Sequence, residues 1–253
     1  MAGKARYLYA VTRGVDPSVL SGVAALSGET VDIMEHEGLL AVLSTVDLDE
    51  FGEDALRANL EQLDWLETTA RTHDAVIKAV SHVGPVAPMR LATIFLDDAG
   101  VRRRLDEWYH ALQQVLDRVQ DRGEWSVKIV APLASSAAAS THERPASGAD
   151  YLRQKKESIE RRAVQQEGSQ HQAQLIHEAI AERAVAIRLL PAQDPRLSGH
   201  EGTMLINAAY LVAEADGDEF AAEAKALEAR HPELVVDVQG PWPPYSFAML
   251  EQR

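Results

Sequence analysis

The residues best placed to do chemistry are His73 and Asp74. A histidine beside a carboxylate has the makings of a tuned general base, because the neighbouring charge holds the imidazole ready to take a proton near neutral pH. His73, however, falls in a helical apolar stripe between Ala70 and Ile77. That is where a core histidine donating to a buried carbonyl belongs. No nucleophile can be paired with it: the chain has no cysteine and no serine in a GxSxG elbow. We therefore favour the core role. An enzyme built on His73 is kept as a rival, and it requires His73 in an open cleft with a partner within hydrogen-bond reach.

Other reactive types are present without the spacing that chemistry needs. There are nine histidines but no HExxH, and His171 lies six residues from His177-Glu178, off the i, i+4 face that metal ligation uses. Without cysteine, disulfides, thiolate catalysis and Cys-type zinc sites are excluded. There is no GxGxxG and no GxxxxGK[ST] to cradle phosphates. Asp47, Asp49, Glu50, Glu53 and Asp54 crowd a helix start, where negative charge suits the macrodipole. Arg90 sits in an apolar run, PMRLATIF; if buried it needs carboxylates or carbonyls, and a structural ion pair is expected over an anion site. No metal or cofactor is expected.

Two segments suit binding better than catalysis. Lys155, Lys156, Arg161 and Arg162, with Glu157 and Glu160, form a mixed-charge helix with little to bury. It reads equally as a docking arm and as a solvated helix held by i, i+4 pairs. The closing stretch Gly240-Pro241-Trp242-Pro243-Pro244-Tyr245-Ser246-Phe247 carries large rings on a Pro-stiffened, extended backbone. It is expected to latch onto the second domain, since an exposed cluster of such rings would be an unusual patch.

The elements that must position these residues follow from periodicity. Arg6–Thr12 reads as a buried strand, Pro17 opens a short helix, and Val31–Ile33 with Leu39–Ser44 make a hairpin. A long helix is predicted from about Glu53 to His82, with Leu56, Leu60, Leu63, Ala70, Ile77 and Val80 inward. Val86–Leu96 reads as irregular or an edge strand. Asp97-Asp98 offers N-cap oxygens to a helix with Val101, Leu105, Trp108, Leu112, Val115 and Val119 on one face and Gly123 as its C-terminal cap. In Glu124–Val130, Trp125, Val127 and Ile129 alternate onto one face and close the first sheet. The predicted fold class is α+β in two domains. The first, 1–131, is a ferredoxin-like βαββαβ variant with an extra helix and with helices on one sheet face. Residues 132–148 form a flexible linker. The second, 149–239, has a long leading helix, strands at Val185–Leu190 and Thr203–Ala213, a helix at Asp218–Arg230 and a strand at Leu234–Val238. That is the same pattern lacking its first strand. Residues 240–253 form the Pro/aromatic tail.

Composition narrows the function. Lys+Arg is 25 and Asp+Glu is 39, a net charge of −14. A chain so acidic is a poor nucleic-acid binder, because phosphate neutralisation needs basic excess. The 46% hydrophobic content excludes a disordered chain. The N-terminus lacks the apolar core of a signal peptide, and no apolar run approaches the ~18 residues of a membrane helix, so a cytoplasmic protein without a lipid partner is expected.

Specific strings then identify a resemblance. RYLYAVTRG at 6–14, the stretch EGLLAVLSTVDLDEFGEDALRANLEQLDWLETTARTHDAVI at 37–77, PVAPMRLATIF at 85–95, EWSVKIV at 124–130, GADYLRQKK at 148–156, INAAYLV at 206–212 and GPWPPYSF at 240–247 resemble the gas vesicle protein F/L (GvpF/GvpL) family, in its order and over nearly the full length. Ser126 departs from an expected glycine, and AMLEQR runs past the family's usual end. The resemblance implies two α+β domains, the second a modified ferredoxin-like unit. It also implies a non-enzymatic accessory or minor structural protein of gas vesicle formation, located at the vesicle and in the cytoplasm. Its partners would be the hydrophobic wall subunit (GvpA type) and other accessory proteins. The expected partner-binding residues are Tyr151, Arg153, Lys155 and Lys156 on the polar helix and Trp242, Tyr245 and Phe247 in the tail. A small-molecule-binding regulatory module is the alternative; it requires a closed pocket lined by convergent polar groups.

Overall fold

The computed structural model describes residues 3–132, 148–194 and 202–248. The chain divides into two compact units, one of Met1–Glu124 with Pro241–Arg253 and one of Trp125–Gly240.

The first unit opens with β1 (Lys4–Thr12), two short 3-10 turns (Pro17–Leu20 and Leu26–Gly28), β2 (Asp32–His36) and β3 (Leu39–Asp47). Then come α1 (Leu48–Phe51), α2 (Glu53–Asn59), α3 (Leu63–Ser81), β4 (Val86–Pro88), β5 (Ile94–Phe95) and α4 (Asp98–Val119). The strand order is β2-β3-β1-β4, with β5 also on β1, and every one of these pairings is antiparallel. Leu8 faces Leu43 and Ala10 faces Val42, so Tyr9 is the extra residue of a β-bulge. The bulge flips the alternation. Tyr7, Tyr9 and Ala10 enter one core with Val76, Ile77 and Val80 of α3, while Leu8 and Val11 enter another with Leu105, Leu112 and Leu116 of α4.

The sheet is therefore covered by helices on both faces, which corrects the one-sided arrangement expected from pattern. The cause was visible in the strands: LYAV and LLAVL are apolar without alternation, as strands buried on both sides are. Leu105 and Leu112 are fully buried, each contributing about 1.5–3 kcal/mol. Asp97 caps α4 as expected, its carboxylate accepting from the Gly100 N–H at 2.7 Å. Gly123 is not the C-terminal cap. The chain leaves α4 through Asp121, at φ 55°, and Gly123 lies in the following strand.

The predicted helix from Glu53 to His82 is two helices, α2 and α3, with the short α1 ahead of them. Leu60 and Leu63 are 41% and 80% exposed and belong to no buried stripe. Gly52 separates α1 from α2 at a point where a Cβ would meet the Leu48 carbonyl oxygen at 2.5 Å. Asn59, a weak helix former, ends α2 by donating its amide to the Glu50 carbonyl at 3.0 Å.

The remaining elements are β6 (Arg122–Pro132), α5 (Gly148–Ala181), β7 (Ala186–Leu189), β8 (Gly202–Ala213), α6 (Gly217–Arg230) and β9 (Val235–Trp242), whose strands form a second sheet in the order β7-β8-β6-β9. Trp125, Val127 and Ile129 share one face and meet Ile176 and Ile180 of α5 and Phe220 of α6. Here the sequence reading is corrected again: β6 does not close the first sheet but pairs inside the second. The fourth strand of the first sheet is the β4–β5 segment, short because Pro88 cannot donate to a ladder. β6 is thus the strand that the second half lacked by pattern. Of the predicted linker, residues 133–147 lie outside the described residues.

The tail is corrected too. After β9 it does not run extended: the Tyr245 N–H donates to the Pro243 carbonyl, and the Phe247 and Ala248 N–H groups donate to the Pro244 carbonyl. Prolines lack donors but keep their acceptors, so this stretch closes a turn. It belongs to the first unit, not the second.

Candidate functional site

His73, on α3, is buried and bonded at both ring nitrogens. Its Nε2 reaches the Met89 carbonyl at 3.2 Å, which can only accept, so Nε2 carries the proton. Nδ1 then accepts from the Tyr7 hydroxyl at 3.0 Å, and that hydroxyl accepts from the Ala92 N–H at 2.9 Å. Burial pushes the His73 pKa down and the Tyr7 pKa up, which keeps both groups neutral. His73 is a cross-link between helix, strand and the 89–93 turn. Neither nitrogen is left for proton transfer, so the His73-based enzyme reading fails its own geometric requirement.

Beside this cross-link lies a cavity of about 360 Å³. Its apolar walls are Ala70, Pro88, Met89, Leu91 and Trp108, and its polar walls are His73, Asp74, Arg90, Thr93 and Tyr245. Most of the polar groups serve each other or the backbone. Tyr245 donates to Asp74 at 2.7 Å, Lys78 pairs with Asp74 at 2.7 Å, and Thr93 donates to the Arg90 carbonyl at 2.7 Å. Burial alone would raise the Asp74 pKa, but the bonds from Lys78 and Tyr245 outweigh it and hold the carboxyl below its usual value. Arg90 corrects the expectation of a buried ion pair. Its side chain is exposed, and among the described residues no hydrogen bond or ion pair engages the guanidinium. The run that looked apolar in sequence bends at a turn, closed by the Thr93 hydroxyl on the Arg90 carbonyl, and its one cation lies at the surface.

The tail residues are placed unequally. Phe247 is buried, Tyr245 is half-buried against Asp74, and Trp242 is 40% exposed with the Lys78 ammonium 5.1 Å from its ring centroid. Ser246 donates from both its N–H and its hydroxyl to Glu124, each at 2.7 Å. Of the three aromatics, only Trp242 presents much surface.

The α5 residues are placed in the other unit. The helix has 34 residues, about 51 Å at 1.5 Å per residue. Among the described residues it is docked through its C-terminal part, by Ala173, Ile176 and Ile180, with His177 bonded to the Tyr210 hydroxyl. Tyr151, Leu152, Ile159 and Val164 are 53%, 66%, 57% and 69% exposed. Arg153 and Lys155 are exposed, and Lys156 pairs with Glu160 at 3.8 Å. Leu152, Ile159, Gln166, Ala173 and Ile180 recur every seventh residue. A straight helix drifts ~20° per heptad, so Ile159 stands roughly 40° and Leu152 roughly 60° around the axis from Ala173.

One grouping escaped the sequence reading. His36, Glu37 and Asp106 bring ligand atoms within 4.8 Å of one another, mostly exposed. Asp106 lies 70 residues from His36 in sequence, so spacing could not have found the trio. The cavity was likewise hidden, because its walls come from α3, the 88–93 turn, α4 and the tail. Among the described residues no helix is long and apolar enough to cross a membrane.

A sequence model of the family described as "Gas vesicle synthesis protein GvpL/GvpF" matches residues 5–249. "Gas vesicle protein L" of Streptomyces sp. (strain CB03234) is 38% identical over 252 residues, covering 98% of this chain and 94% of that protein. "Gas vesicle protein F" of the same strain is 28% identical over 254 residues, covering 95% and 98%. The crystal structure of GvpF from Anabaena sp. PCC7120 superposes with a TM-score of 0.70 at 17% identity, covering 99% of this chain and 98% of that one. GvpF from Microcystis aeruginosa gives 0.67 at 18%, covering 97% and 99%. At these identities the two structures speak for the fold.

Proposed function

The chain belongs to the GvpL/GvpF family of gas vesicle synthesis proteins, and from that premise we propose that it is a non-catalytic accessory protein that binds the hydrophobic vesicle wall subunit (GvpA type), limits its aggregation and helps deliver it to the growing shell. It works in the cytoplasm and at the gas vesicle, and other accessory proteins are further partners. The observation that carries this reading is the N-terminal length of α5, where Leu152, Ile159 and Val164 stand exposed and lie outside the core formed by the described residues. A wall subunit that forms an apolar surface self-associates through exposed β-forming segments until it is placed. An apolar face offered by a protein of net charge −14 would cover such segments while charge keeps the complex dispersed. Tyr151, Arg153, Lys155 and Lys156 lie along this arm, and Trp242 is the tail residue left open to a partner; Tyr245 and Phe247 contribute by holding the tail in place.

Two finer assignments belong to the same reading. The 38% identity to protein L against 28% to protein F of one strain supports an L-type member. The strand orders β2-β3-β1-β4 and β7-β8-β6-β9 support a ferredoxin-like ancestry for both units, with α4 added to the first.

The test is co-expression of the wall subunit with and without this chain, scoring soluble wall subunit and vesicle yield. A rise in both is expected. No change in either would remove the proposed role.

A further inference from the structure

The cavity in the first unit is built like a binding site. The 89–93 turn that forms one wall is pinned far beyond what a connection needs. The Met89 N–H donates to the Tyr9 carbonyl at 2.9 Å and the Met89 carbonyl accepts from His73. The Ala92 N–H donates to the Tyr7 hydroxyl, and the Leu8 N–H donates to the Thr93 carbonyl at 2.9 Å. Ala92 is held at φ 62°, a left-handed conformation that costs a residue with a Cβ about 1–2 kcal/mol. Such a turn presents Arg90 in a fixed place, and presentation on a rigid element spares ordering entropy when a ligand arrives.

The charges select the ligand. The Asp74 carboxylate is neutralised by Lys78. Arg104 lies over the Trp108 ring, 4.9 Å from its centroid, and pairs with Glu107 at 2.9 Å. Among the described residues Arg90 is left as an uncompensated cation lining a largely apolar cavity, on a chain whose net charge is −14. The volume lies at the lower end of the ~300–1,000 Å³ usual for ligand pockets, roomy for a large apolar side chain and its backbone. Of its polar lining groups, His73, Asp74, Thr93 and Tyr245 already bond within the protein, which leaves Arg90 as the one turned to a ligand among the described residues.

The geometry points to this cavity as a docking pocket for a partner polypeptide, one that inserts an apolar side chain against Trp108 and Leu91 and places a carboxylate, one residue away, on Arg90. This rests on the reading of the protein as a polypeptide-binding accessory protein and names a recognition element for it separate from α5.

The experiment titrates the full-length chain with two short end-blocked peptides that differ only in carrying Phe-Glu or Phe-Lys. The readout is the Trp108 indole N–H resonance, assigned with Trp108→Phe. The Phe-Glu peptide is expected to shift it saturably and to bind at least tenfold more tightly than Phe-Lys. Arg90→Ala should bring the two peptides to equal, weak affinity, and Arg90→Lys should restore part of the preference. Ala70→Trp, checked for native folding by circular dichroism, should fill the cavity and abolish binding of both. No saturable shift with Phe-Glu, equal affinities for the wild type, an unaltered preference in Arg90→Ala, or tighter binding of free phenylacetate than of the peptide would each overturn the assignment. A chain that binds Phe-Glu as described yet never raises wall-subunit solubility keeps the pocket and loses the functional reading. A chain that raises solubility equally well as Arg90→Ala and Ala70→Trp does the reverse.

Discussion

The Tyr245 hydroxyl donates to the Asp74 carboxylate over 2.7 Å, joining residues 171 positions apart. This bond closes one wall of the cavity and ties the Pro-rich tail to α3. Its acceptor is ionised and half-buried, so it falls in the class of charge-assisted hydrogen bonds worth about 1.5–3 kcal/mol. Tyr245→Phe is expected to destabilise the protein by that amount in urea unfolding. Asp74→Asn should cost at least as much, since it also releases Lys78. The double variant should cost less than the sum of the two singles. Strict additivity would show that the two groups do not interact.

Replacing His73 tests the cross-link. In His73→Phe the Tyr7 hydroxyl loses its acceptor and the Met89 carbonyl its donor, both in a buried setting. Two unsatisfied groups at about 1–3 kcal/mol each place the expected loss at roughly 2–6 kcal/mol, measured as a fall in the urea midpoint at unchanged slope.

The same histidine sets a pH dependence. Burial lowers the His73 pKa in the folded protein below its ordinary 6.5, and burial lowers that of His177 as well. The unfolded chain therefore binds protons first as the pH falls. Stability from these groups is complete above about pH 6.5 and is lost on acidification, with a slope of up to ~1.4 kcal/mol per pH unit for each group. Unfolding curves between pH 7.5 and 5.5 should show this decline, and His73→Phe should flatten it. A stability that rises over that range would contradict the neutral, buried histidine.

Much of this arrangement was legible in the sequence, for physical reasons that differ by element. The period of α4 was clean because its stripe, from Val101 to Val119, packs on one sheet face. β6 was recognisable as a strand from its alternation, but alternation cannot name the sheet, and it was assigned to the wrong one. Leu60 and Leu63 fitted a helical period while lying on either side of a break made by side-chain bonds that periodicity does not register. His73 was read as a core residue from its stripe, yet its partners Tyr7 and Met89 come from elements far away in sequence. The cavity was invisible for the same reason. The bare face of α5 was foreseeable, since a helix so poor in apolar residues has little to bury.

The two halves of α5 should respond differently to substitution. Leu152→Glu and Ile159→Glu change exposed side chains and should leave thermal unfolding within about 0.5 kcal/mol of wild type. Ile176→Ala empties a fully buried position and should cost about 2–5 kcal/mol. Loss of stability in the two Glu variants would mean that this part of the helix is packed in solution.

The central claim is that the uncovered length of α5 grips the wall subunit. The most direct measurement is the amount of co-expressed wall subunit recovered on affinity-tagged full-length chain, compared between wild type and the Leu152→Glu/Ile159→Glu double variant at matched folding. The account predicts clear recovery with wild type and loss of most of it with the double variant. Equal recovery on both, or none on wild type, would contradict it.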